Sequence, residues 1–142
     1  MKHWILFLIL LCTACAQTPS PVASAPESDR DPAAIVSSYL ALWQEPDPQQ
    51  RLQQMAALWH KSGEHRTPRT HSVGLAEFNQ EIGDFQAQFP GAQVRVGKLR
   101  QTGPYLSFDF ALLDTSGQLI VEGLDYLELA PNGKIRRVIG FF

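Results

Sequence analysis

Two aspartates and one histidine in this sequence are candidates for proton-transfer chemistry. Asp125 shares one side of a mostly apolar segment with Gly123 and Leu127, and Asp109 lies between two phenylalanines. A buried carboxylate is costly unless it faces a hydrated pocket or has a partner. Enzymes use such carboxylates, and His side chains, as general bases. We therefore predict Asp125, Asp109 and His65 as candidate catalytic residues.

Each of these three residues has an alternative interpretation. The Asp125 carboxylate could form an ion pair with Arg136 or Arg137 on a neighbouring strand, and Asp109 could face solvent. His65 could be a half-exposed histidine on an edge strand, although an imidazole also suits a base or a ligand contact near neutral pH. The sequence leaves both interpretations open for each residue.

Residues that could contact a ligand form a second set. Most carry aromatic rings, which offer large apolar contact areas. The set consists of Tyr39, Trp43, Trp59, Thr67, Tyr126 and Phe141. The hydroxyl of Tyr126 is also a candidate hydrogen-bond donor in an enzyme. The alternative for most of the aromatic members is a place in the hydrophobic core.

Several functional classes find no support in the sequence. His60, His65 and His71 lack the HExxH spacing of a zinc site, and neither a G-x-S-x-G nor a P-loop motif occurs. The two cysteines, Cys12 and Cys15, lie close to the N-terminus. The formal net charge of -2 does not suit nucleic-acid binding, which needs clustered Lys and Arg. We expect no metal, no other cofactor and no nucleic-acid partner.

The elements that would position the candidate residues include four long strands in the last third of the chain. They are predicted over Val94 to Leu99, Tyr105 to Leu113, Leu119 to Leu129 and Ile135 to Phe142. Turn residues such as Gly, Pro and Asn separate them. Strands of this length predict one strongly curved antiparallel sheet with other elements packed in its hollow.

Three helical segments upstream would fill that hollow. Asp31-Pro32 and Asp47-Pro48 each combine an N-cap acceptor with Pro at the first helical position, which predicts two helix starts. Gln50 follows Asp47 at the position of a capping-box partner. The apolar face of the second helix is predicted to contain Leu52, Met55, Ala56 and Trp59.

The third helix has the clearest pattern and ends at Pro90-Gly91. Its apolar residues recur every three or four positions: Leu75, Phe78, Ile82, Phe85 and Phe89. Its polar residues are predicted to face outward: Glu77, Gln80, Glu81, Asp84 and Gln88. A short edge strand from Glu64 to Thr67 is predicted between the second and third helices. This order of elements is typical of an α+β fold with helices packed against one sheet.

A series of short motifs spans residues 31–142. They are Tyr39-x-x-x-Trp43, Trp59 with Gly63, Gly74-Leu75-Ala76-Glu77-Phe78, Phe85 to Gly91, Glu122-Gly123-x-Asp125, Asn132 to Ile135, and Val138-x-Gly140-Phe141-Phe142. Their order and spacing resemble the SnoaL-like branch of the nuclear-transport-factor-2-like superfamily. The resemblance implies a conical α+β barrel, in which three N-terminal helices pack in a strongly curved antiparallel sheet. It also implies a pocket at the open end and, in many members, a homodimer through the outer sheet face.

The same resemblance bears on function. The family contains proton-transfer enzymes (ketosteroid isomerases, polyketide cyclases and dehydratases) together with binding modules, so the fold does not decide between them. Members often place a catalytic Asp two residues after a pocket-facing aromatic residue. His65 and Thr67 occupy those two positions here. The sequence therefore lacks one carboxylate that the family favours.

The N-terminal segment has the anatomy of a secretory signal peptide. Lys2 supplies a positive charge, and the apolar run from Trp4 to Leu11 is shorter than the roughly 20 residues of a membrane-spanning helix. Small residues precede Cys15, and the run resembles a bacterial lipoprotein box. Removal of residues 1–14 would then leave Cys15 as a lipidated N-terminus. The rival cleavage, after Ala16, would release a soluble exported protein.

Residues 15–30 are rich in Pro, Ser and Ala and cannot bury enough apolar surface to fold. We predict a disordered tether there, between the lipidated Cys15 and a domain over residues 31–142. By resemblance to Gram-negative lipoproteins, Ala16 rather than Asp after Cys15 indicates the outer membrane. The predicted location is the cell envelope, on the periplasmic side of the outer membrane, or else the periplasm or exterior.

Three functions remain open from the sequence. The favoured one is a tethered domain that binds a small apolar molecule, because Thr67 replaces the family's acidic residue. The second is an isomerase or cyclase with Asp125 or Asp109 as base and His65 or Tyr126 as donor. The third is an envelope assembly module that binds a partner through a face rimmed by Arg95, Arg100, Arg136 and Arg137.

Overall fold

The computed structural model describes residues 30–142, which form three helices and one six-stranded sheet. The helices are α1 (Pro32–Gln44), α2 (Pro48–Leu58) and α3 (Gly74–Gln88). The strands are β1 (Trp59–Arg66), β2 (His71–Val73), β3 (Gln93–Thr102), β4 (Tyr105–Leu113), β5 (Leu119–Leu129) and β6 (Ile135–Phe141). The predicted signal peptide, the lipidation of Cys15 and nearly all of the predicted tether lie outside the described residues.

Both predicted helix starts are confirmed. Asp31 accepts a hydrogen bond from the Ala33 amide at 3.0 Å, and Asp47 accepts one from the Gln49 amide at 2.8 Å. In each helix a proline follows the capping aspartate. Proline suits this position because an N–H group there would have no hydrogen-bond partner within the helix. The sequence signal at these two sites is local, which explains why it was sufficient.

The predicted apolar face of α2 is partly wrong. Met55 is buried, but Ala56 is exposed and Trp59 is the first residue of β1. Arg51 is buried instead, at 2% exposure. Its guanidinium donates to Asn79 Oδ1 at 2.6 Å, to the Glu45 carbonyl at 2.7 Å and to Gln86 Oε1 at 2.9 Å. These bonds satisfy the buried cation and join α2 to α3.

The sheet has the strand order β2-β1-β6-β5-β4-β3. Every neighbouring pair is antiparallel except β1 and β6, which run parallel, so the sheet is mixed rather than wholly antiparallel. The segment predicted as an edge strand belongs to β1, which pairs on both sides, while β2 and β3 form the edges. The sheet is therefore a curved, open cone and not a closed barrel.

The hollow of the cone is filled at its narrow end by stacked aromatic rings. Phe78 on α3 is fully buried, with its ring centre 4.3 Å from that of Trp59. Tyr39 on α1 stacks on the same pair, with ring centres 6.5 Å from Phe78. Phe85 and Phe89, farther along α3, are only half-buried because the hollow widens there. The apolar stripe of α3 thus runs from the core to an opening.

The helices within residues 30–142 are too short or too polar to cross a membrane.

Candidate active site

A pocket of about 870 Å³ occupies the wide end of the cone, between α1 and α3 on one side and the sheet on the other. Aromatic and aliphatic side chains form much of its wall, among them Trp43, Phe85, Phe108 and Phe110. The polar residues predicted to face outward from α3 line it as well: Glu77, Gln80, Glu81, Asp84 and Gln88. The predicted outward orientation is confirmed for the four members that are exposed, Glu77, Gln80, Asp84 and Gln88, and it is wrong for Glu81, which is 12% exposed.

Asp125 reaches the pocket from β5. It pairs with Phe108 on β4 and with Gly140 on β6, and paired residues of neighbouring strands share a face of the sheet. A Cβ at position 140 would lie 3.1 Å from Asp125 Oδ1. Gly140 therefore leaves room for the carboxylate on the concave face. The alternative ion pair with Arg136 or Arg137 is not formed, because both arginines bond to Glu128.

The hydroxyl of Tyr39 joins Asp125 to His65. Tyr39 is 1% exposed on α1, and its oxygen lies 3.4 Å from Asp125 Oδ2 and 3.3 Å from His65 Nε2. His65 is 3% exposed in β1 and lines the pocket, so it is not the half-exposed edge residue of the alternative interpretation. Three side chains from three different elements therefore meet at one point of the wall.

Glu81 extends this group from the other side. His65 Nδ1 lies 2.9 Å from Glu81 Oε1. Glu81 also accepts hydrogen bonds from Thr70 Oγ1 at 2.5 Å and from Ser72 Oγ at 2.6 Å. We call the four residues Asp125, Tyr39, His65 and Glu81 the buried polar chain. Its two ends are carboxylates, and its middle members are a phenol and an imidazole.

The surroundings shift the pKa values of the chain. Burial raises the pKa of Asp125 from 3.8 to about 6, although the positive charge of His65 and the Tyr39 hydrogen bond oppose this. Burial and the nearby Asp125 charge raise the pKa of Tyr39 well above its usual value. For Glu81, burial acts to raise the pKa, but the hydrogen bond and charge of His65 outweigh it and lower the pKa. Glu81 is thus a stable anion, and Asp125 is poised to exchange a proton near neutral pH.

Asp109, the other predicted base, lies on the opposite face of the sheet. It pairs with Leu124 on β5, one residue out of step with Asp125. Its carboxylate accepts two hydrogen bonds from Arg100, at 2.9 and 3.0 Å. The hydrogen bonds from this guanidinium lower the pKa of Asp109. The structure therefore does not bring Asp109 to the pocket, because neighbouring strand residues alternate between faces.

The predicted ligand-binding residues divide into two groups. Tyr39, Trp43 and Thr67 line the pocket. Trp59, Tyr126 and Phe141 do not. Trp59 is buried in the core behind Phe78, and Tyr126 stacks on Tyr105, on the other face of the sheet from Asp125. Phe142, which was not singled out, lines the pocket in place of Phe141.

Glu81 is the functional candidate that the sequence reasoning missed. It follows Phe78 by three positions and precedes Phe85 by four, so helical geometry places it beside the apolar stripe. That spacing was the available signal. Thr70 and Ser72, which hold Glu81, carry no comparable signal because only the β1–β2 pairing brings them to α3. Within residues 30–142, no group of three or more His, Cys, Asp and Glu side chains is arranged to bind a metal.

The sequence matches no protein-family model and no curated protein. Solved structures do match. A SnoaL-like family protein from Agrobacterium tumefaciens, described as a candidate isomerase, aligns with a TM-score of 0.74 and 25% identity, over 78% of this chain and 95% of that one.

Two further structures are similar at lower identity. A candidate ketosteroid isomerase from Kribbella flavida aligns with a TM-score of 0.57 and 22% identity, covering 76% of this chain and 74% of that one. A candidate polyketide cyclase from Sinorhizobium meliloti aligns with a TM-score of 0.62 and 9% identity, covering 76% and 94%. These similarities confirm the α+β cone of the nuclear-transport-factor-2-like fold, with an open sheet.

Proposed function

We propose that this protein is a proton-transfer enzyme of isomerase or cyclase type, with Asp125 as its general base. The observation that carries the proposal is the meeting of Asp125, Tyr39 and His65 at the wall of one largely apolar pocket. The substrate would be a small, mainly apolar carbonyl compound. Such a compound suits aromatic walls, and the proton next to a carbonyl is the one that a carboxylate base removes.

The chemistry follows from the environment of Asp125. A base with a pKa of about 6 is mostly ionised at neutral pH, yet it remains more basic than an ordinary aspartate. Its carboxylate would take a proton from the carbon next to the carbonyl; the C–H electron pair would form a carbon–carbon double bond, and the carbonyl π pair would move to the oxygen to give an enolate. Return of the proton to another carbon gives an isomer, whereas attack of the enolate carbon on a second carbonyl closes a ring.

Hydrogen-bond donors for the enolate oxygen lie beside the base. The Tyr39 hydroxyl contacts the Asp125 carboxylate, and it is less attracted once that carboxylate has gained a proton. Its single proton can then go to one of two acceptors, the enolate oxygen or His65 Nε2 at 3.3 Å. Thr67 also lines the pocket and carries a hydroxyl. In this structure the Thr67 hydroxyl donates to Thr70 Oγ1 at 2.8 Å, because the Thr70 proton goes to Glu81, so Thr67 would have to leave Thr70 to donate to the enolate.

The similar structures support the same reaction class. The Agrobacterium and Kribbella proteins are described as candidate isomerases and the Sinorhizobium protein as a candidate polyketide cyclase. Those descriptions belong to these proteins. They favour proton transfer here only together with the placement of Asp125 and His65.

Binding of a small apolar molecule without reaction is the second candidate, and the sequence favoured it. The size and apolar walls of the pocket support it equally well. We rank it below catalysis because a pure binding site has no need for an aspartate whose pKa is raised toward neutrality.

Proton abstraction can be measured without knowing the substrate. Small cyclic ketones in D₂O would report exchange of their α-protons by NMR, and 5-nitrobenzisoxazole would report base-promoted ring opening by its colour. We expect Asp125→Asn to lower both rates by about 10²-fold or more, the usual contribution of a general base. Equal rates in the wild-type protein and in Asp125→Asn would leave pocket binding as the better explanation.

We propose, from the sequence alone, that the protein is exported and anchored to the outer membrane through Cys15. The Pro-rich segment after Cys15 would then hold the pocket away from the bilayer. In a Gram-negative host, Cys15→Ser should move the protein from the membrane fraction to the soluble periplasmic fraction. The predicted homodimer through the outer sheet face also stays a prediction, which sedimentation would test.

A further inference from the structure

The buried polar chain contains more groups than a single general base requires. Asp125 alone could remove a proton, yet Tyr39 links it to His65 and His65 is held by Glu81. Glu81 uses one oxygen for His65 and Thr70 and the other for Ser72. A mostly buried anion with three donors, 12% exposed, is costly to build and holds the imidazole in one orientation.

We propose that Glu81 is a positioning residue that orients His65 to receive a proton from Asp125 through the Tyr39 hydroxyl. This inference rests on the proposed function, and it makes His65 the group that holds the abstracted proton. The Glu81 carboxylate can only accept from His65 Nδ1, so Nδ1 carries a proton. Nε2 is then the nitrogen that faces the Tyr39 oxygen.

The transfer balances in protons and charge. In the first arrangement, protonated Asp125 donates to the Tyr39 oxygen, and the Tyr39 hydroxyl donates to Nε2 of neutral His65. The Asp125 proton moves to the Tyr39 oxygen while the Tyr39 proton moves to Nε2. In the second arrangement Asp125 is a carboxylate, Tyr39 is again a phenol and His65 is an imidazolium. The chain carries one net negative charge in both arrangements, because Glu81 stays ionised.

The rest of the pocket leaves His65 as the acceptor of this proton. The other ionisable groups in its lining are Arg69 and His71, near and on β2, and Glu77 and Asp84 on α3. Glu77 accepts a hydrogen bond from the Val73 amide, and Asp84 accepts one from Gln80. Among the described residues, Tyr39 is the side chain that hydrogen-bonds to Asp125.

The role of Glu81 can be tested by the direction in which the pKa of Asp125 shifts when Glu81 is replaced by Gln. If Glu81 acts through His65, Glu81→Gln weakens the positive charge on the ring and the pKa of Asp125 rises. If Glu81 acts only through space, removing a negative charge makes the pKa of Asp125 fall. We expect a rise of about 1 pH unit, measured from the Asp125 side-chain ¹³C signal during a pH titration. A fall, or no change, would overturn the proposal.

Two matched variants keep this test interpretable. Glu77→Gln removes a charge from the same helix without touching His65, and it should not raise the pKa of Asp125. Ser72→Ala weakens the support of Glu81 while leaving its charge, and it covers the case in which Glu81→Gln fails to fold. It should raise the pKa of Asp125 by a smaller amount.

The tautomer of His65 gives a second, independent readout. In ¹⁵N-His-labelled protein, with His65→Gln to assign the signal, neutral His65 should carry its proton on Nδ1 and lose this preference in Glu81→Gln. A neutral His65 ring in the wild-type protein with its proton on Nε2 and none on Nδ1 would contradict the relay. Neither measurement needs a substrate, so the relay can fail while Asp125→Asn still abolishes proton abstraction, and the two proposals can be told apart.

Discussion

Asp125 and Asp109 are the same residue type on neighbouring strands, and their surroundings shift their pKa values in opposite directions. Asp125 on β5 faces the concave side, where burial raises its pKa to about 6. Asp109 on β4 faces the convex side, where Arg100 lowers its pKa. Both were predicted as bases. The comparison shows that one step in strand register decides whether a carboxylate becomes a reactive group or an ion-pair partner.

The partners of the two carboxylates differ as much as their burial. Asp109 has a guanidinium at two points of contact, and both side chains are about two-fifths exposed, at 43% and 42%. Asp125 has a neutral phenol at 3.4 Å. A full opposite charge favours ionisation far more than a weak hydrogen bond does. The pocket therefore keeps the pKa of the Asp125 carboxylate above that of an ordinary aspartate, as a general base that works near neutral pH requires.

The largest expected difference between the two residues is in rate. Asp125→Asn should lower the opening of 5-nitrobenzisoxazole by about 10²- to 10⁴-fold, because the amide cannot accept the proton. Asp109→Asn should leave the rate within about twofold of wild type, since its carboxylate faces away from the pocket. Similar losses in both variants would show that the two faces of the sheet are not functionally distinct.

The second largest expected difference between Asp125 and Asp109 is in how each contributes to folding stability as the pH changes. The pKa of Asp125 is raised above 3.8 by burial, so the folded state binds this proton more tightly than the unfolded state. The contribution of Asp125 to the free energy of unfolding is therefore largest below pH 3.8, and it is lost as the pH rises through about 6.

Asp125→Asn has no charge to bury and should gain about 2 kcal/mol in the free energy of unfolding at neutral pH. Urea denaturation at a series of pH values would measure this gain, which should vanish in acid. Asp109→Asn serves as the control and should show no such gain. A destabilised Asp125→Asn protein at neutral pH would mean that the carboxylate is satisfied and not strained.

The Tyr39 hydrogen bond should shift the pKa of Asp125 in the direction opposite to burial. Its effect should be smaller than the changes in rate and stability described above. It lowers the pKa of Asp125, so Tyr39→Phe should raise that pKa above its value of about 6. The midpoint of the pH–rate curve should move upward by about 1 unit, with activity still increasing as the base ionises. Tyr105→Phe, on the exposed outer face, is a matched loss of a hydroxyl and should not move the midpoint.

The smallest expected effect concerns the outer ion pair. Arg100→Gln should raise the pKa of Asp109 toward its ordinary value, because the guanidinium holds it down. Exposed pairs of this kind contribute little to stability, so the thermal midpoint should be nearly unchanged. A large loss of stability, checked by calorimetry, would show that the convex face is packed against a partner and not exposed.

Much of the fold could be predicted because its signals are local. The starts of α1 and α2 each carry an Asp-Pro pair, and the turns before β4 and β6 contain Gly103-Pro104 and Pro131-Asn132-Gly133. The α3 stripe correctly indicated Phe78 and Ile82 as core residues. β2 was missed because three residues are too few to show alternation, and its pairing with β1 is what makes it a strand.

The candidate site was only half predictable. Asp125 and His65 were singled out by residue type and neighbours, and both reach the pocket. Tyr126 and Asp109 were chosen on the same grounds, yet they face the other side because alternation is fixed only once register is known. Glu81 was assigned to the outer face because a helix pattern does not say which side a pocket will lie on.

The sequence by itself determined the order of the three helices and the four long strands, the curved sheet and the presence of a few carboxylates among apolar residues. These properties depend on neighbours along the chain, where capping, turns and periodicity act. Only the tertiary structure decided which carboxylate is buried and which residues join it. Asp125, Tyr39, His65 and Glu81 come from four separate elements, and no interaction within any one of them brings the four together.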